Sequence, residues 1–147
     1  MFLVAGLAML MAAAATERPA VVVEAPDSPV KLEHVTVLTA TDGPPVLLYA
    51  AINKTDQVFD QFTVIAYIFD AEGVLKATQL APGRRTLEAR ETKYSTMVLD
   101  GSPMPPGGSV VVGVNQAQRV DSDAWWRAEL RPAAEAAVPK KAAPEKK

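Results

Sequence analysis

The chain has 147 residues, no cysteine, a single histidine and a formal net charge of -2. Without cysteine there is no disulfide framework, thiolate metal site or thiol nucleophile. The slightly acidic balance excludes the strongly basic face of a nucleic-acid binder, and the length suits one core of roughly 100 residues.

The first element is an uncharged apolar run, Phe2 to Ala15, followed by the polar Thr16, Glu17 and Arg18. As a helix it would reach about 21 Å, short of a bilayer core of about 30 Å. Residues 1–15 therefore read as a secretory signal peptide cleaved after Ala13-Ala14-Ala15. The expectation is an exported protein, periplasmic or extracellular, with no stable membrane insertion after cleavage. No Lys or Arg precedes the run, and an uncleaved segment would remain as an N-terminal membrane anchor. Residues 16–30, with Pro19, Pro26 and Pro29, read as a leader into the domain.

Residues 31–131 read as that domain. VKLEHVTVLTA (30–40) alternates and stops at Thr41-Asp42-Gly43-Pro44-Pro45, a turn by composition. VLLYAAIN (46–53) closes at Asn53-Lys54-Thr55-Asp56. FTVIAYIFD breaks at Asp70-Ala71-Glu72-Gly73, resumes as VLKATQL (74–80), and turns at Ala81-Pro82-Gly83. A less regular segment, residues 84–99, ends in YSTMVL. The run SPMPPGGS (102–109) is a loop, because its prolines and glycines suit neither a helix nor a central strand. VVVGVNQAQRV and AWWRAEL complete about seven strands, the pattern of an all-β, immunoglobulin-like antiparallel β-sandwich. For the last segment the alternative is a helix over AWWRAELRPAAEAA capped by Ser122. Residues 132–147 use almost only Ala, Pro, Lys and Glu. They offer too little apolar surface to offset ordering entropy, so the tail is expected to be disordered.

Candidate chemistry is sparse. His34 would have to serve any Ser-His-Asp relay alone, and no G-x-S-x-G accompanies it. One histidine without cysteine does not make a zinc site. Met97 and Met104 share no copper-binding spacing with His34. Asp70 and Glu72, like Asp121 and Asp123, flank turns, where Asp side chains bond nearby backbone without any calcium ion. The reading is a non-enzyme with no cofactor and no metal.

Asn53 after an apolar strand, then FTVIAYIFD with its DAEG turn, VLKA, the LAPG turn and a late VVVGV strand resemble bacterial extracytoplasmic immunoglobulin-like domains of the FxLYD kind. The FxLYD tetrad is itself not spelled out, since YIFDAEG has Phe before Asp. The resemblance implies a sandwich fold and an accessory envelope role, with no catalytic residues to carry over.

One strand raises a specific question. In FTVIAYIF, Phe62, Val64, Ala66 and Ile68 occupy one face, while Ile65, Tyr67 and Phe69 make the other equally apolar. In an immunoglobulin-like order that second face would gather Ile65, Tyr67, Phe69, Val111 and Trp125 into a candidate interaction face. Its cover is expected to be a protein partner, a second copy in a homodimer, or the chain's own leader or strand 74–80. The favoured function is an exported accessory or protein-interaction module using this outer face. The alternative is a carbohydrate-binding module, with an outward Trp125 and Tyr67 stacking on sugar beside Asn115, Gln116 and Arg127.

Overall fold

The computed structural model describes residues 16–40, 43–81, 86–99, 104–123 and 125–139. The expected signal peptide, residues 1–15, and the tail beyond residue 139 lie outside the described residues. The described chain folds as an all-β sandwich of two packed sheets.

The elements in chain order are β1 (Thr16–Pro19), β2 (Val21–Val22), β3 (Val30–Thr39), β4 (Val46–Asn53) and β5 (Phe59–Phe69). They are followed by β6 (Leu75–Leu80), β7 (Thr92–Val98), β8 (Ser109–Arg119), β9 (Trp125–Arg127) and the helix α1 (Arg131–Ala137). One sheet has the order β1-β3-β4-β7; the other has β2-β8-β5-β6, with β9 also paired to β8. Strands β3 to β9 are the seven expected from turn spacing and give the immunoglobulin-like arrangement. Their pairings are antiparallel, whereas β2 runs parallel to β8.

Alternation places Leu47, Tyr49 and Ala51 of β4 against Phe62, Val64, Ala66 and Ile68 of β5 and Val110, Val112 and Val114 of β8 in the main core. In β3 the inward set changes parity, from Val30 and Leu32 to Val35 and Val37. A register shift between Glu33 and Thr36 explains it. His34 sits in that bulge with φ of 53°, its side chain in solvent. An extra residue bends a strand and re-aims the side chains beyond it, so the lone histidine marks a kink.

Two expectations are corrected. The leader, residues 16–30, was expected to precede a domain beginning at residue 31, but it is part of the sandwich: β1 pairs with β3 in one sheet, and β2 with β8 in the other. The tail expected to be disordered from residue 132 begins instead with α1. Its Ala-rich sequence buries little, yet Ala134 and Val138 dock with Leu130 on the sandwich, and packing supplies what seven residues cannot supply alone.

Candidate functional site

Each sheet has an outer face, and the two differ in what covers them. On the five-stranded sheet Ile65, Tyr67, Phe69 and Val111 do come together, but in a second buried cluster. Leu130, Ala134 and Val138 complete it from the C-terminal side, and Val21, Val23 and Ala25 from the leader. Phe69 and Val111 have no exposed surface, and Tyr67 is 3% exposed. Burial pushes the Tyr67 phenol above its ordinary pKa, and nearby Glu129 adds to that. These four residues are therefore not a free partner surface, because the chain's two ends already cover them.

Trp125 does not belong to that cluster. It lies opposite Gln118 at the far end of β8, and Arg127 lies opposite Gln116. The Arg127 guanidinium sits over the Trp125 ring, 5.5 Å from its centroid. Beside them run two side-chain bonds between β5 and β8: Gln61 Nε2 donates to Gln118 Oε1 at 2.9 Å, and Gln116 Nε2 donates to Thr63 Oγ1 at 3.0 Å. The outer face of this sheet is thus apolar and covered at one end, polar and half-exposed at the other. Trp126 faces inward and packs on the main core, as strand parity predicts.

The four-stranded sheet is different. Its outward positions on β4 are Val46, Leu48, Ala50 and Ile52, paired across to Val98, Thr96, Tyr94 and Thr92 of β7. Tyr94 is 75% exposed and Val98 48% exposed, while Ala50 between the strands is fully shielded. A shallow depression of about 310 Å³ is lined here by His34, Leu48, Tyr49, Tyr94, Ser95 and Thr96. On the same face, opposite Ile52 and Ala50, Lys31 and Glu33 of β3 form an ion pair of 3.0 Å, and the carboxylate holds the Lys31 ammonium above its usual pKa. Among the described residues no helix or further strand pairs over this face, and β7 is the sheet's edge. Sequence reasoning missed this surface although VLLYAAIN carries the same signal as FTVIAYIF: apolar residues at successive positions, hence on both faces.

No family model matches the chain, and no curated protein or solved structure matches it. The residues that carried the FxLYD-like resemblance take structural roles. Asn53 is fully buried. Its Nδ2 donates to the carbonyls of Gln57 at 2.6 Å and Glu88 at 3.0 Å, and its Oδ1 accepts from Thr55 N at 2.9 Å and Thr55 Oγ1 at 2.8 Å. It ties the β4–β5 turn to the segment around Leu87. Asp70 Oδ1 accepts from the amides of Glu72 at 3.0 Å and Val74 at 2.9 Å, across Gly73 with φ of 80°. That carboxylate is occupied by its own turn. Among the described residues no three His, Asp or Glu side chains are grouped to hold a metal ion. His34 points to solvent while Met97 lies in the core, so the two are not joint ligands.

Proposed function

We propose that this chain is an exported, non-enzymatic accessory module of the FxLYD-like kind that binds another protein through the outer face of its four-stranded sheet. The observation that carries the reading is Tyr94, three-quarters exposed on an edge strand, opposite Ala50 and diagonal to Leu48 and Ile52. An exposed aromatic next to aliphatic side chains, with polar groups around them, is the composition of a protein-binding surface. The apolar run of residues 1–15 supports export, because an interaction module beyond the membrane needs such a signal.

A photo-crosslinking amino acid at position 94, introduced in producing cells, tests the surface. Position 120 is the control, since Val120 is also exposed, 56%, but lies in the turn after β8. A discrete adduct from position 94 that is absent from position 120 is expected, and its mass distinguishes a foreign protein from a second copy of this chain. Identical adducts from both positions, or none from position 94, would remove the proposal.

The polar end of the other sheet favours a second reading, a carbohydrate-binding module. Trp125, Arg127, Gln116 and Gln118 share that face, with the buried acceptor Oδ1 of Asn115 left without a partner beside them. A sugar ring would have to displace Arg127 from the indole to stack there. Retardation in gels containing envelope polysaccharides, lost in Trp125→Ala, tests it.

A further inference from the structure

A strand at the edge of a sheet offers unpaired main-chain groups to any other strand, and native proteins blunt such edges with brevity, proline, bulges or charge. Three edge regions of this sandwich are blunted in those ways. β1 has four residues and ends in Pro19. β2 and β9, both beside β8, have two and three residues. β6 has a register shift that leaves the exposed Lys76 unpaired between Leu75 and Ala77.

β7 is not blunted. It keeps seven consecutive pairs with β4, Thr92 to Val98, with no register shift and no proline. Its one charge, Lys93, lies on the same row as the buried Met97, and its ammonium donates to Thr86 O. The bonds at the two ends of β7 fix which groups are spare. Asn53 N donates to Glu91 O at 2.9 Å, and Leu99 N donates to Pro45 O at 2.8 Å. Such bonds recur at every second residue of an antiparallel ladder. Lys93, Ser95 and Met97 therefore turn their N–H and C=O to β4, while Thr92, Tyr94, Thr96 and Val98 turn theirs away. Val98 O accepts from Gln79 Nε2. Among the described residues the main-chain groups of Tyr94 and Thr96 meet no partner.

The side chains of this row match a copy of themselves. Laid antiparallel on its own copy about Thr96, β7 sets Tyr94 opposite Val98 of the second copy and Thr96 opposite Thr96. The two exposed apolar side chains of the strand thus cover each other twice. Aromatic with β-branched and Thr with Thr are favourable cross-strand neighbours. Lys93 falls opposite Leu99, so the like charges stay apart. A two-fold interface requires self-complementarity of this kind.

We infer that a second copy of this chain occupies the β7 edge, joining two four-stranded sheets into one through antiparallel β7–β7 pairing centred on Thr96. The inference rests on reading the four-stranded face as a protein-binding surface; it names the occupant and adds the main-chain edge to the site.

The test uses protein purified from producing cells. Sedimentation equilibrium should give twice the mass of the single chain. Thr96→Lys sets two ammonium groups opposite each other without touching the β4 ladder, and should raise the dimer dissociation constant about ten-fold or more. In a chain without cysteine, Thr96→Cys should give a disulfide-linked dimer in glutathione buffer. Thr92→Cys, about 26 Å from its counterpart in this pairing, should not. A monomer, a dimer indifferent to Thr96→Lys, or equal linkage through positions 92 and 96 would overturn the inference. A foreign adduct from the crosslinker at position 94 on a monomeric chain would overturn it too, while leaving the protein-binding reading in place.

Discussion

Leu130 Cδ1 lies 2.6 Å from the point where a Cβ on Gly113 would stand, and the carbonyl oxygen of Val23 lies 2.6 Å from the same point. Gly113 is therefore the place on β8 where the leader and the C-terminal segment both reach the sheet. The contact is fixed by Val23 N donating to Val112 O at 2.9 Å. Gly113→Ala should push both covers outward and cost about 2 kcal/mol, in the range of overpacked cores. Chemical denaturation measures the loss. Faster proteolysis within residues 20–26, relative to the rest of the domain, locates it.

The same cover sets a pH response through Tyr67, whose phenol is held above its usual pKa chiefly by burial. The native state keeps that proton to higher pH than the unfolded chain does. The corresponding stability is fully present below the ordinary tyrosine pKa of about 10 and is lost as pH rises through the raised value. Stability should therefore fall more steeply above about pH 10 in the parent than in Tyr67→Phe. Superimposable pH profiles would show that the phenol ionises without unfolding cost.

The adjacent tryptophans should separate. Trp126 packs on the main core and Trp125 does not. Trp126→Ala should cost about 3 kcal/mol, and Trp125→Ala under about 1 kcal/mol, as for a surface change. The Trp126 Nε1 is buried without a hydrogen-bond partner. Trp126→Phe should thus recover most of the loss, since it removes an unsatisfied donor together with modest volume. Equilibrium unfolding of the three variants decides it.

Asn53→Ala should destabilise by about 3 kcal/mol, because it strips partners from the carbonyls of Gln57 and Glu88 and from Thr55 at a fully buried site. Asn53→Asp should be no better, since a carboxylate would face those carbonyls with no N–H to offer. Thermal and urea unfolding of the two variants measure both losses. The Asn53-Lys54-Thr55 triplet also has the form of a glycosylation acceptor, and burial keeps it from serving as one in the folded protein.

Much of the sandwich was legible because its turns are chemically explicit. Asp70-Ala71-Glu72-Gly73 and the Pro-Gly-rich loop before Ser109 mark strand ends without any tertiary information, although β5 and β8 beside them do not alternate. The cover of β5 was legible as a requirement, with the leader among its possible suppliers, whereas α1 was not foreseen as one. Ile65, Tyr67 and Phe69 showed that something lies over them, but β2 is two residues long and α1 seven. Segments that short carry no periodicity of their own and are ordered by the surface they pack on. Gly113, in the middle of VVVGV, was the available signal for a close backbone approach. The four-stranded face went unread although VLLYAAIN is apolar at successive positions, and its pairing with the exposed edge β7 shows that one side lacks cover. The bulge at His34 went unread, although the adjacent polar Glu33 and His34 move the apolar positions from 30 and 32 to 35 and 37.

The parallel pairing of Val21 with Val111 and Val22 with Val112 also governs the order in which the molecule closes. Contacts between positions so far apart in sequence form late and slow the search for the native state. As residues emerge from the ribosome, β3 and β4 have each other within a short hairpin, whereas β2 must wait for β8. The cover over Tyr67 waits longer still, until Leu130 and α1 have been made. A chain made or threaded from its N-terminus therefore remains open along one sheet until its last quarter arrives, and closes that side last.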